Sequence, residues 1–336
     1  MTSDIVRIGV VGAGQIVRDR HAPGFRALDG VELHSVANRS LASGERAAAE
    51  FGFSHVRAHW RELVADPDVD AVVVGTWPYL HAPVAIAALD AGKHVLIQAR
   101  LAMNAAEAHA VQAAVLRHPD LVSMVVPAPF SFWADACVHR LLTDRAIGDL
   151  RLVRCFWGGG DGAYQPGPRW RRDRRYSGNN TLQLGIVYEQ LARWVGHARW
   201  VQAAEAIIDP RDEDGPVDVP DMVSVLAELP GGARLNLELT SHARFAGATQ
   251  VHLFGSAGTL VVDMSAQEIV LRTETHEEKV TPRPDERGQW QVEAEFVGAI
   301  RGENDVRLND VATAVRYMEF TDAVRLSAAE GRRVGL

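Results

Sequence analysis

The chain has 336 residues, 47% apolar and 23% charged, and a net charge of −8 from 35 Lys+Arg against 43 Asp+Glu. That length is enough for two domains with cores of their own, and the acidic balance argues against nucleic acid or an anionic membrane as the main partner. No apolar run reaches the roughly 18 residues of a membrane helix, Met1-Thr2-Ser3-Asp4 has no signal-peptide character, and Cys137 and Cys155 fit no metal spacing, so the expectation is a cytoplasmic protein with buried free thiols.

Ile5 to Val11 is a short run rich in β-branched residues that ends in glycine, the pattern of a strand covered on both faces. Gly12 permits a tight turn, and Gly14 leaves room for a phosphate to approach the backbone. The helix that follows, Gln15 to Leu28 with a disturbance at Pro23, would face that phosphate with its first amides, at Gln15 and Ile16. The third position of the G-x-G-x-x-G pattern is Val17, so the fingerprint is incomplete.

A second strand, Val31 to Ala37, ends at Asn38-Arg39-Ser40. An acidic residue here would bind ribose hydroxyls and disfavour a 2′-phosphate. The missing carboxylate and the adjacent guanidinium and hydroxyl favour NADP over NAD. The alternative is a helix start, with Ser40 as N-cap and Arg39 solvated. Helices follow at Leu41 to Phe51, Trp60 to Ala65, Pro83 to Asp90 and Asn104 to Leu116, alternating with strands at Ala71 to Gly75, His94 to Ile97 and Leu121 to Val126. Such alternation predicts a parallel sheet with ligand at the carboxyl ends of its strands. Thr76, Trp77, His81 and Gln98 stand at those ends and are candidate cofactor contacts; His81 reads equally as a helix N-terminal residue.

From Leu150 the pattern changes. A helix at Ala134 to Thr143 precedes a strand at Arg151 to Trp157, which runs into Gly158 to Gly162 and Pro166-Gly167-Pro168. This long loop ends in Arg169, Arg171, Arg172, Arg174 and Arg175, which serve either an anionic ligand or a solvated loop with one structural arginine. A helix over Asn180 to Val195 leads into strands at Trp200 to Ile208, Asp221 to Leu229, Ala233 to His242, Thr249 to Phe254, Thr259 to Asp263 and Glu268 to Arg272. Two helices, near Gln289 to Arg301 and Asp310 to Ala329, close the chain. The expected fold class is α/β: a doubly wound parallel sheet over residues 1–127, then an α+β domain with a large, mostly antiparallel open sheet over residues 128–336. The last helices pack back on the first domain in this reading, and one sheet face is available to another subunit.

Val11-Gly12-Ala13-Gly14, Asp66-Pro67-Asp68-Val69-Asp70-Ala71-Val72, Leu80-His81-Ala82-Pro83, Ala91 to Leu96, Phe254 to Leu260 and Glu295 to Gly302, in this order and spacing, resemble the glucose–fructose oxidoreductase / inositol dehydrogenase / MocA-like family over nearly the whole chain. The resemblance implies a Rossmann domain, NAD(P), sugar- or polyol-like substrates, and homodimers or homotetramers. It also implies Glu-Lys-Pro after the fifth strand, where this chain has Gln98-Ala99-Arg100. It implies Asp-x-Gly-x-His-x-x-Asp on the long helix, where this chain has Gln183, Gly185, Val187 and Gln190.

Positions 183, 187 and 190 share one helical face. As a pocket wall that face presents two amides and an isopropyl group, which orient hydroxyls but exchange no proton near neutral pH. Arg100 can bind an anion or polarise a carbonyl, and Tyr188 can donate a proton, although it is turned about 100° from Val187. Tyr79, Tyr164 and Tyr176 are weaker candidates, and Arg171 joins the pocket set from its loop. The 13 histidines form no close cluster with metal-ligand spacing, so no metal is expected. Two functions stand: an atypical NADP-dependent oxidoreductase with a non-standard proton donor, or a non-catalytic sensor or accessory subunit that binds nucleotide and ligand.

Overall fold

The computed structural model describes residues 5–158 and 169–336. The expected loop residues Gly159 to Gly162, Tyr164 and Pro166-Gly167-Pro168 lie outside the described residues. The chain divides into two compact units: Met1–Pro127 with Gln291–Met318, and Ala128–Trp290 with Glu319–Leu336.

The first unit carries six parallel strands, β1 (Val6–Val11), β2 (Val31–Ala37), β3 (His55–Arg57), β4 (Ala71–Val74), β5 (His94–Ile97) and β6 (Ser123–Val125). Their order, β3-β2-β1-β4-β5-β6, reverses direction between β1 and β4, which opens a crevice at the carboxyl ends of those two strands. Every residue of β4 is buried, which accounts for its unbroken Ala-Val-Val-Val sequence. The connecting helices are α1 (Ala22–Arg26), α2 (Leu41–Phe51), α3 (Trp60–Val64), α4 (His81–Asp90) and α5 (Ala105–Arg117). Ser40 caps α2, Asn104 caps α5, and Gly52 ends α2 with a φ of +79°. Between β1 and α1 the backbone makes a π-helical turn over Val17–His21, so the helix expected after the glycine turn is wound more widely there.

One later segment, Gln291–Met318, belongs to this unit. The carbonyl of Asn309 accepts from the amide of Val125, and the hydroxyl of Tyr317 accepts from the amide of Leu101. The helix Val292–Ile300 places Glu293 against the π-helical turn.

The second unit begins with α6 (Phe132–Thr143), followed by β7 (Leu150–Gly158), α7 (Arg174–Ser177), α8 (Leu184–Val195) and β8 (Trp200–Ala206). Then come a small hairpin of β9 (Arg211–Asp212) and β10 (Gly215–Pro216), and β11 (Met222–Glu228), β12 (Arg234–Thr240), β13 (Gln250–Gly255), β14 (Gly258–Asp263), β15 (Glu268–Thr273) and β16 (Glu277–Val280). The chain ends with α9 (Val292–Ile300), α10 (Val311–Glu330) and β17 (Val334–Gly335). The sheet order is β16-β15-β14-β13-β7-β12-β11-β8-β17, with β7 and β12 parallel and the other described pairs antiparallel. Residues of β11 and β12 alternate buried and accessible, so one face of the sheet is covered and one is open. The stacked rings of Tyr188 and Phe320, with centroids 3.5 Å apart, join α8 to the last part of α10 on the covered side. Ser327 of α10 accepts from the amide of Ala203 on β8.

Asn180 to Gln183, expected as the first turn of the long helix, stand before it. Leu182 has a φ of +48° and Gln183 is the N-cap of α8. The left-handed residue prevents the helix from starting earlier.

Candidate functional site

In the first unit the site grows from the glycine turn. Gly12 has a φ of +88°, and a Cβ there would lie 2.7 Å from Cγ2 of Thr76 and 2.8 Å from its backbone nitrogen. Gly14 is open on its side-chain side, with only the carbonyl of Gly75 at 3.8 Å. The amide of Arg18 bonds the carbonyl of Gly14, which leaves the amides of Gln15, Ile16 and Val17 in the first turn without a helical carbonyl to bond. Gln15 turns its side chain to Asp19, so what it offers an anion is its backbone. Val17 occupies the third glycine position and is fully buried against Gly75.

At the end of β2, Asn38 is committed to the fold. Its Oδ1 accepts from the amide of Ala13 at 2.7 Å and its Nδ2 donates to the carbonyl of Ser43 at 3.0 Å. It braces the glycine turn through one lone pair of its oxygen and one hydrogen of its amide nitrogen. Ser40 accepts from the amide of Ser43 as the cap of α2, which was the alternative reading of this residue. Arg39 is exposed, with its guanidinium 5.8 Å from the centroid of the Trp77 ring. Thr76 donates its hydroxyl to the carbonyl of Trp77.

His81 is a brace as well. It is buried, with Nδ1 at 2.7 Å from the carbonyl of Arg100 and Nε2 at 2.9 Å from the carbonyl of Thr76. Burial holds its pKa below the usual value and the Arg100 cation adds to this, while the two carbonyls pull the other way. Both ring nitrogens face backbone carbonyls of the loops that follow β4 and β5; the neutral ring carries one N–H and donates to one of them, which ties His81 to the fold beside the cofactor side. Arg100, 3% exposed, is buried beside it, and the Ala99–Arg100 peptide is cis.

The residues that sequence reasoning passed over are His21 and Glu293. His21 is fully buried at the end of the π-helical turn. Its Nδ1 lies 2.5 Å from Oε1 of Glu293, and its Nε2 lies 3.0 Å from Nε2 of Gln98. Gln98 in turn accepts from the amide of Ala99 at 3.0 Å. No periodicity links His21 to Glu293, which stand 272 positions apart in the sequence.

In the second unit, Gln183 is half-buried and accepts from Nε1 of Trp157 at 2.9 Å. Val187 and Gln190 are fully buried, and both polar atoms of the Gln190 amide lack a hydrogen-bond partner among the described residues. Tyr188 does not join this face. It is buried in the core, stacked on Phe320, with its hydroxyl accepting from the amide of Ala198 at 2.9 Å and lying 3.3 Å from Nδ1 of His197. Between Gln190 and Tyr188, Glu189 is buried and accepts from the amide of Ala128 at 2.6 Å. Burial pushes its pKa up to about 7 against the pull of Arg193. Burial likewise pushes the Cys155 thiol up to about 12, an inert group.

The arginine-rich segment serves the fold. Arg169 and Arg172 pair with Asp212, Arg174 reaches the carbonyl of Asp218, and Arg175 pairs with Asp173. Arg171 lies over the ring of Trp170 at 4.7 Å. The anionic-ligand reading of this segment therefore gives way to a loop fastened by ion pairs.

Folding also gathers two His/Asp groups that the sequence spacing did not show, His34 with Asp66 and Asp68, and Asp209 with Asp221 and His242. In the first, Asp66 is held by Arg57 at 2.6 Å and by the amide of Asp68 at 3.0 Å. In the second, Asp221 accepts from the amides of Ile208 and Asp209. Both carboxylates are occupied by the protein's own donors. No described helix is long and apolar enough to cross a membrane.

A family model described as an oxidoreductase family with an NAD-binding Rossmann fold matches residues 6–126, and its C-terminal domain model matches residues 136–261. The chain is 30% identical to dTDP-3,4-didehydro-2,6-dideoxy-alpha-D-glucose 3-reductase of Streptomyces violaceoruber, over 96% of this chain and 95% of that one. It is 30% identical to levoglucosan dehydrogenase of Pseudarthrobacter phenanthrenivorans, over 62% of this chain and 58% of that one. The structure of a levoglucosan dehydrogenase in complex with NADH and levoglucosan superposes with a TM-score of 0.84 at 23% identity, covering 99% of both chains, which shows a common fold. With its parallel nucleotide-binding sheet, its open second sheet and these matches along the chain, the protein belongs to the Gfo/Idh/MocA oxidoreductase family.

Proposed function

We propose that the protein is an oxidoreductase that prefers NADP to NAD and moves a hydride to or from a sugar-like, polyol or other small metabolite. The observation that carries the reading is the cradle at the glycine turn. Gly12 has no space for a Cβ, Gly14 is open, and Gln15 and Ile16 begin the helix that follows, where first-turn amides have no helical carbonyl to bond. Those amides would hold the dinucleotide's phosphates. Arg39, exposed at the end of β2 with no carboxylate at Asn38, would take a 2′-phosphate. Thr76, Trp77 and Gln98 stand at the carboxyl ends of β4 and β5 on the same sheet edge. The nicotinamide supplies or accepts the hydride when bound.

Residues 1–127 would carry the cofactor role, and residues 128–336 the substrate and oligomerisation roles. Gln183 and the unpartnered amide of Gln190 would orient substrate hydroxyls. Neither transfers a proton near neutral pH, so the proton would pass through solvent or another side chain, with Arg100 restricted to charge stabilisation. Relatives named as acting on a dTDP-sugar and on levoglucosan support a sugar-like substrate. A second copy would dock on the open face of the nine-stranded sheet, where Leu226 is 43% exposed among half-buried Phe156 and Phe254, giving a homodimer or homotetramer.

A second reading is favoured by one observation. Ala99 and the fully buried Val187 stand where the resemblance implies a lysine and a histidine, which suits a non-catalytic nucleotide- and ligand-binding regulator. Titration of the purified protein with NADPH and NADH, followed by turnover on a panel of carbonyls, imines and polyols at the nicotinamide absorbance band, separates the two. The expected result is NADPH binding about tenfold tighter, or about 1.4 kcal/mol, with turnover of at least one class. Tight binding with no turnover, unchanged in Ala99→Lys, overturns the enzyme reading. Tighter binding of NADH overturns the NADP preference.

A further inference from the structure

Gln98, at the end of β5, is 9% exposed, and its side chain is the last member of a buried hydrogen-bonded chain. The amide N–H of Ala99 bonds Oε1 of Gln98, which fixes the oxygen end of the side-chain amide. The nitrogen end therefore faces His21 and donates to Nε2 of the ring. An Nε2 that accepts carries no hydrogen, so the imidazole proton sits on Nδ1, where the carboxylate of Glu293 receives it at 2.5 Å. Each donor in the chain meets an acceptor, and the opposite flip of Gln98 would set its N–H against the N–H of Ala99. Gly24 contributes an absence: a Cβ there would lie 2.8 Å from Oε2 and Cδ of Glu293, so glycine in α1 makes the space in which that carboxylate reaches His21.

We propose that His21 and Glu293 are positioning residues of the dinucleotide site, which fix the side-chain amide of Gln98 in one orientation and leave its second Nε2 hydrogen as a donor to an acceptor oxygen of the bound ligand. This rests on the dinucleotide-binding reading above. A carboxylate at position 98 could only accept from His21; an amide both accepts from Ala99 and donates twice, once to His21 and once outward. The substitution at this position thus converts an acceptor into a donor, and the buried His–Glu pair keeps that donor aimed. The ligand group it suits is a neutral carbonyl or carboxamide oxygen.

The test combines nitrogen NMR of histidine in the ligand-free protein with NADPH titration of variants. The expected spectrum assigns the proton of His21 to Nδ1. His21→Phe, Glu293→Ala and Gly24→Ala should each weaken NADPH binding about 3- to 10-fold, the worth of one directed hydrogen bond, while Glu293→Gln, which keeps an acceptor for Nδ1–H, should recover most of it. In a Gln98→Ala background the His21→Phe loss should vanish, whereas losses of thermal stability should still add. An Nε2–H tautomer, or affinity losses that persist without Gln98, overturns the proposal while leaving dinucleotide binding intact. A parent protein that binds neither dinucleotide overturns the functional reading and this inference with it.

Discussion

Val17 packs against Gly75: a Cβ placed on Gly75 would lie 2.6 Å from Cγ2 of Val17 and 2.5 Å from the carbonyl oxygen of Gly12. In a dinucleotide fingerprint the third glycine lets helix and strand approach closely. Here the helix side is filled by valine, and the strand side is vacated instead, so close approach is kept with the glycine moved to the end of β4. Gly75→Ala should therefore cost about 1–3 kcal/mol of stability, as overpacking does, and weaken NADPH binding with it. Adding Val17→Ala removes the side-chain collision and not the one with Gly12, so recovery should be partial. A Gly75→Ala protein that melts with the parent would refute this packing.

The exposed Arg39 should set cofactor choice. Arg39→Ala should lower NADPH affinity by roughly 3- to 30-fold and leave NADH affinity within about twofold, since one charge-assisted phosphate contact is lost and no ribose contact changes. Competitive titration with the two reduced dinucleotides reads the ratio. Equal losses for both would mean that Arg39 acts only through its contact with Trp77.

Tyr188 is held by the amide of Ala198 and the ring of Phe320, away from any solvent. Tyr188→Phe keeps the stacking and strands a buried N–H. It should cost about 1–3 kcal/mol in denaturant unfolding while turnover per folded molecule stays unchanged. A large fall in kcat with stability intact would restore Tyr188 as a proton donor.

Arg140 meets both oxygens of Glu286. The guanidinium, helped by the amide of Arg283, holds the Glu286 carboxyl at about 2, against an ordinary value of 4.5. A depressed folded-state pKa gives stability that is present above the unfolded value and lost as pH falls toward the folded one. Glu286→Gln should therefore be less stable than the parent at neutral pH, with the gap closing between about pH 4.5 and 2. Parallel acid-unfolding curves that keep a constant separation across that window would exclude this pair as the cause.

Much of the chain was legible before folding. Val31–Ala37, Leu41–Phe51 and His94–Ile97 have the bounds that apolar runs, the Ser40 cap and flanking turn residues predict, because those signals act within a few residues. The short strands β3, β9, β10, β16 and β17 were not legible: unlike His94–Ile97 they have no apolar run, and they exist because a neighbour offers hydrogen bonds.

The site divides in the same way. The glycine turn and the change from Glu-Lys-Pro to Gln98-Ala99-Arg100 are local features, and the sequence by itself determined them. The employment of each polar side chain is a question of what lies across the fold. Asn38 braces Ala13, His81 ties two loops, Tyr188 enters the core, and Arg169, Arg172 and Arg175 pair with carboxylates. His21 meets a carboxylate 272 positions away. Only the tertiary structure decided these, since a buried donor takes whichever acceptor packing brings within about 3 Å, and sequence distance does not enter that energy.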